Sequence, residues 1–310
     1  MVRGGWDSFM LKYKNYRTPG EFEAGYSNFI DAPVVERWET HFRDASARIA
    51  NLPRHELAYG PDPRHRIDFF SAPDAPNGAP VLIAIHGGLW FLFDRWMMHF
   101  LVPAFSAAGV HVACPTYRLA PAVGLDDIVG DCRRAIAHLR TNAALGRLGD
   151  FTVLGHSAAG QLAAVMASTD WPAFDPGLPA DLIASWVGVS GFYDIEPFEL
   201  TNFQATTRFT TDAYRRWSPA NLVHPDMPPS LLVTGAKESG LLHEMMDGYA
   251  ALLGEAGVAV DAIDAPGEDH FSVLARVGDP ASNLHRRVLE AILQPGGQSP
   301  APSVLQFPSE

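Results

Sequence analysis

A chain of 310 residues, 47% hydrophobic and 19% charged, suits one large domain, or one domain with a small cap, around a sizeable core. Its formal net charge of −12 argues against a nucleic-acid partner, which calls for a basic stripe, and against an anionic membrane surface. Two cysteines are too few for a disulfide framework, and no apolar run approaches the ~20 residues that span a bilayer.

The N-terminus, Met1-Val2-Arg3-Gly4-Gly5-Trp6, carries no apolar signal-peptide core, so a cytoplasmic location is expected. Residues 1–50 read as a helical leader that packs on a domain or lies over a site, with helices at 21–29 and 34–50. In the second, Val35, Trp38, Phe42 and Ala45 recur at helical spacing. Two short β-like runs, 55–59 and 66–70, flank Gly60-Pro61-Asp62-Pro63 and give a hairpin signal. After a Pro- and Gly-rich loop, residues 81–85 form a continuous apolar run, as in a strand buried on both faces. His86-Gly87-Gly88-Leu89-Trp90 follows it.

A further strand is expected at 110–113 and an amphipathic helix at 128–139. Phe151-Thr152-Val153-Leu154-Gly155 then reads as a strand that turns sharply into a helix over 158–168. Residues 182–189 are another strand. The aromatic, irregular stretch that follows has the character of a cap insertion, at about 191–223. Strands at 231–234 and 258–263 bracket a helix at 241–256, and 271–293 reads as largely helical. The core thus runs over 51–293. The tail 294–310, rich in Pro, Gly and Ser, is expected to be poorly ordered. Strands alternating with helices imply an α/β fold with a mostly parallel sheet covered on both faces. Chemistry in such sheets sits at the carboxyl ends of the strands.

The strand–turn–helix at 151–168 places one serine, Ser157, at its turn, in the pattern Gly-x-Ser-x-Ala. A hydroxyl at such an elbow can attack a carbonyl, and the first helical amides, Ala158 among them, can bind the oxyanion. Serine needs a base, and the useful histidine should follow the last strand, after an acid in chain order. His270 fits, in Gly267-Glu268-Asp269-His270-Phe271. Glu238, in the loop after the strand at 231–234, is the chosen acid. Asp194 is the runner-up, while Asp264 and Asp269 are close to His270 in sequence only. The glycine turn after residues 81–85 supplies further oxyanion donors, from Gly88 and Leu89 together with Gly87, and His86 braces that loop. Trp90 and Phe91, with Phe192 and Tyr193, are candidate walls of a substrate pocket. Cys114 and Cys132 read as reduced, structural thiols. No His-Glu-x-x-His, Cys-x-x-Cys or Gly-x-x-x-x-Gly-Lys occurs, so neither a metal site nor nucleotide binding is expected.

These segments resemble the α/β-hydrolase fold, in particular its hormone-sensitive-lipase-like branch and the kynurenine formamidase (arylformamidase) relatives. The matching pieces are His86-Gly87-Gly88-Leu89-Trp90, Tyr117-Arg118-Leu119-Ala120-Pro121, Gly155-His156-Ser157-Ala158-Ala159-Gly160, Ser218-Pro219 and Asp269-His270-Phe271. The resemblance implies an α/β-hydrolase core with a small helical cap and a Ser–acid–His triad, which falls on Ser157, Glu238 and His270. It departs from the usual pattern at Leu89, at Ala159 and in having glutamate as the acid.

The expected activity is a serine hydrolase, a carboxylesterase or an arylformamidase-like amidase, without a cofactor or a metal. The alternative is a non-catalytic ligand-binding protein on the same scaffold. The expected partner is a small ester or amide, aromatic groups included, with no nucleic acid and no membrane; a homodimer is left open.

Overall fold

The computed structural model describes residues 18–27 and 32–295. Expectations for the first seventeen residues and for the tail beyond 295 lie outside the described residues. Eight strands form one sheet in the order β1-β2-β4-β3-β5-β6-β7-β8. They are β1 His55–Ala58, β2 Arg66–Phe70, β3 Val81–Ile85, β4 His111–Pro115, β5 Phe151–His156, β6 Ile183–Val189, β7 Ser230–Gly235 and β8 Val260–Ala265. β1, β2 and β4 pair antiparallel; every pair from β4 through β8 is parallel.

The central strands are those that the apolar runs announced. All residues of β3 and β5 are buried, as strands covered on both faces must be. Helices α1 Pro19–Ser27 and α2 Ala32–Arg48 precede the sheet; α3 Leu125–Thr141, α4 Ala158–Ala167 and α5 Gly240–Glu255 follow β4, β5 and β7. The helix expected over 271–293 is two helices, α6 Ser272–Val277 and α7 Asn283–Leu293. Gly278 and Pro280 interrupt it, and Ser282 restarts it by accepting the His285 amide at 2.9 Å. Residues 95–107, left without an element by the sequence pattern, form a 3₁₀ turn, Arg95–Leu101, running into the helix Val102–Ala107. The insertion between β6 and β7 is a set of short helices, among them Phe203–Thr207 and Thr211–Arg216. Among the described residues, no helix is long and apolar enough to cross a membrane.

Register places the site. Ile85 pairs with Gly155, His156 with Val189, Val189 with Val233, and Gly235 with Ala265. The loops after β3, β5, β6, β7 and β8 therefore leave the sheet along one edge.

A buried ion cluster ties α3 to the sheet. Asp131 is fully buried and takes Arg118 through both oxygens, at 2.8 and 2.9 Å, with His65 Nε2 at 3.1 Å and Arg134 alongside. Burial, the largest single influence, pushes its pKa up, but the hydrogen bonds and charge of Arg118, together with its other partners, outweigh it and hold the carboxyl below the usual value. The folded state therefore binds this proton less tightly than the unfolded chain. The resulting stability is present above the unfolded pKa of about 4 and is lost as pH falls through the depressed folded value. Asp131→Asn should cost about 1–3 kcal/mol at neutral pH, because it removes the buried carboxylate that the partly exposed Arg118 and Arg134 both bond. Urea melts at a series of pH values should also show a weaker loss of stability below about pH 4 in the variant than in the parent chain.

Candidate active site

Ser157 sits between the end of β5 and the start of α4, with φ 58°. A non-glycine residue there is strained by about 1–3 kcal/mol and is held by its surroundings. Its N–H donates to Val189 O at 2.9 Å, and α4 continues directly from it. Gly155 explains the tightness of the turn: a Cβ on it would lie 1.9 Å from Ala159 O. The methyl of Ala159, by contrast, is accommodated and fully buried. The next close approach falls on Gly160, where a Cβ would lie 2.5 Å from Gly191 Cα. The Gly-x-Ser-x-Ala spacing thus keeps glycine where backbone meets backbone.

His270 and Glu238 meet across the ends of β8 and β7. His270 Nδ1 lies 2.7 Å from Glu238 Oε2, with the carboxylate fully buried. Oε1 of Glu238 accepts the Gly235 amide at 2.7 Å and the Ser190 hydroxyl at 2.5 Å. The carbonyl of His270 accepts from His156 Nε2 at 2.7 Å. Burial, then the charge of His270, push the pKa of His156 well down, so it donates as a neutral imidazole. Asp194, the runner-up acid, accepts from Ser218 Oγ at 3.0 Å and from the Glu196 amide. Asp269 caps α6 through the amides of Phe271 and Ser272, and Asp264 is 4.0 Å from His243.

The glycine loop after β3 closes over the elbow. A Cβ on Gly87 would lie 2.6 Å from His156 O and 3.4 Å from Ser157 Cβ. Gly88 has φ 105°, and a Cβ there would lie 2.4 Å from Leu92 O. Leu89, Trp90 and Phe93 also have positive φ, a density of strain found where a loop must present its amides in one direction. Three contacts hold this shape. Tyr117 donates to His86 O at 2.9 Å, and its ring stacks on His86. Arg64 donates to Phe93 O at 2.9 Å. Trp90 Nε1 donates to Gln161 Oε1 at 3.0 Å. Burial pushes the pKa of His86 down to about 4, so it stays neutral at physiological pH and braces the loop. Ala158 is fully buried behind Ser157, at the first position of α4.

Ser157, His270, His156, Gly87, Gly88 and Leu89 line one cavity of about 500 Å³. Phe91, Phe93, Phe203 and Phe271 wall it, and Ala32, Val35, Glu36 and Glu39 roof it from one stripe of α2. The roof is fastened where Ser46 Oγ meets His99 Nδ1 at 2.9 Å and His99 Nε2 meets Asp68 at 3.0 Å. Of the four aromatic residues expected to line the pocket, Phe91 does so. Trp90 and Phe192 lie off the cavity, in an aromatic cluster with Phe198, and Tyr193 stacks on Tyr249 at 4.6 Å. Their density reports core under the cap. Arg64, Gln161 and Ser190 drew no attention in the sequence; only Ser190, the first residue after a strand, carried a positional signal.

A serine at a strained turn, a histidine with a buried carboxylate behind it, and a strained glycine loop at one cavity form an arrangement suited to acyl transfer. Comparison with known proteins gives the same direction. The BD-FAE family model matches residues 67–244, more than half of the chain. The chain is similar to a kynurenine formamidase of Salmo salar, 25% identical over 83% of this chain and 88% of the relative. It is also similar to esterase LipQ of Mycobacterium tuberculosis, 29% identical over 87% of this chain and 70% of the relative. A solved structure from Silicibacter sp. tm1040, with a provisional thioesterase description, aligns with TM-score 0.68 and 27% identity. That alignment covers 83% of this chain and 94% of the other.

The elbow geometry is testable without a substrate. Gly155→Ala should destabilise the chain by about 2–4 kcal/mol or abolish soluble expression, since neither backbone at the contact can retreat. Ala159→Gly should cost no more than about 2 kcal/mol, the helix-propensity difference plus a buried methyl, and should leave the chain soluble. Thermal melts of the two variants separate these outcomes.

Proposed function

We infer the function from one premise: the chain belongs to the BD-FAE family, within the α/β-hydrolase fold. It is, we propose, a serine hydrolase that cleaves small carboxylic esters, and aryl amides or formamides as a second class, through an acyl-enzyme. The observation that carries this reading is the buried Glu238–His270 pair at the cavity that Ser157 also lines.

In this reading Ser157 Oγ attacks the scissile carbonyl and gives its proton to His270 Nε2. Glu238 holds the Nδ1–H tautomer and stabilises the imidazolium. Amides of Gly88, Leu89 and Ala158, with Gly87 keeping the loop close, receive the oxyanion. His270 then protonates the leaving group, and water, activated by the same imidazole, releases the acid.

The cavity favours an ester over a formyl group alone. Its volume lies within the range of drug-sized ligand sites, and its walls are phenylalanines, which suit an aromatic or acyl substituent. The formamidase relative keeps aryl formamides as the second class. The charged side chains of the roof, Glu36 and Glu39, are both acidic, and Glu39 is paired with Arg43 at 2.6 Å. Substrates ending in a carboxylate are therefore disfavoured. Two free, buried cysteines fit a reducing cytoplasm.

Ser157→Ala should lower hydrolysis of phenyl acetate by at least about 10³-fold while the chain still melts cooperatively. Retention of full activity would remove the triad from the mechanism. A comparison of phenyl acetate, 4-acetoxybenzoate and the 4-trimethylammonio analogue tests the roof. At low salt, Glu36→Gln should raise kcat/KM for the anionic ester relative to the cationic one by about three-fold, and the change should shrink as salt screens the carboxylate.

A further inference from the structure

Ser190 stands directly after β6, on the edge where the other site residues leave the sheet. It is fully buried, and its φ is 51°, in the left-handed region that favours glycine. Its N–H donates to Val233 O at 2.7 Å, and its hydroxyl donates to Glu238 Oε1 at 2.5 Å. The glycine that follows, Gly191, answers a different need: a Cβ on it would lie 2.7 Å from the Tyr193 ring, so it does nothing for the backbone of Ser190. A serine kept in this conformation is retained by what its hydroxyl does.

What it does follows from the two oxygens of Glu238. Oε2 faces His270 Nδ1 at 2.7 Å. Oε1 accepts one backbone amide, that of Gly235 at 2.7 Å, so without a further donor the carboxylate would be held by a single bond at each oxygen. The Ser190 hydroxyl supplies the second point on Oε1 and fixes the plane. An O–H donating to a carboxylate is among the stronger hydrogen bonds.

We propose that Ser190 is a positioning residue, whose hydroxyl clamps Oε1 of Glu238 and thereby keeps Oε2 on the imidazole of His270. The proposal rests on the reading of Ser157, His270 and Glu238 as the catalytic set. It adds a fourth side chain, from a different strand end, without which the acid and the base are not held in register.

The test compares the parent chain with Ser190→Gly, Ser190→Ala and Ser157→Ala, using phenyl acetate. Glycine suits the left-handed backbone, so Ser190→Gly should melt no lower than Ser190→Ala. Both should lose kcat by about ten-fold or more, the scale for removing an outer-shell partner, with KM changed by less than about two-fold. The downfield proton resonance of His270 Nδ1–H should broaden or move upfield in both, a change that loss of packing alone would not give. If Ser190→Gly keeps kcat within about two-fold and the resonance is unmoved, while Ser157→Ala is inactive, the clamp is wrong and the triad stands. If Ser157→Ala is fully active, the triad and the clamp fall together. Ser190→Ala carries the same readouts should Ser190→Gly prove insoluble.

Discussion

The carboxyl ends of β3 and β5 through β8 finish side by side, and every feature of the site depends on that register. Parallel pairing from Ile85 across to Ala265 brings five loops to one edge, although the residues they carry are spread over nearly two hundred positions of sequence. A slip of one residue in any strand would turn its side chains to the other face. β3 and β5 are closed on both faces, so their register rests on the fit of side chains against the layers above and below rather than on an apolar–polar alternation. The chemistry inherits its precision from the core.

Strain is concentrated at this edge. Ser157, Ser190, Leu89, Trp90 and Phe93 all hold positive φ without being glycine. They are held by contacts from neighbouring elements: the strand-end carbonyls Val189 O for Ser157 and Val233 O for Ser190, and the side chains of Arg64 and Gln161 for the loop after β3. The rest of the sheet carries this cost, which is why unstrained strands and strained loops alternate along the chain.

Much of this was legible in the sequence, for physical reasons. Apolar runs locate buried strands, so the polar residues that punctuate them, His86-Gly87-Gly88, Ser157 and His270, stand out as candidates by position, whereas position left Glu238 and Asp194 both open as the acid and only the fold pairs Glu238 with His270. Long-range contacts are not written in local pattern. Arg64 lies in a hairpin loop and Gln161 inside a helix, and nothing near either one marks it as a partner of Phe93 or Trp90. Aromatic density misled for a related reason. Composition gives the number of rings near 190–217 but not the side on which they pack, and Trp90, Phe192 and Tyr193 turned inward. The break at Gly278 and Pro280 was visible as residues yet overridden by the helical composition around it.

The roof of the cavity has a separate origin from its floor. Floor residues come from strand ends deep in the fold, whereas α2 precedes the first strand and is fastened by side chains, through Ser46 with His99 and through Trp38 stacked on Phe271. In the proposed reading, the reacting groups and the cavity roof therefore come from different stretches of the chain. Divergence of the leader can remodel the entrance while leaving the reacting groups untouched, which makes this a scaffold whose range of substrates can drift faster than its reaction.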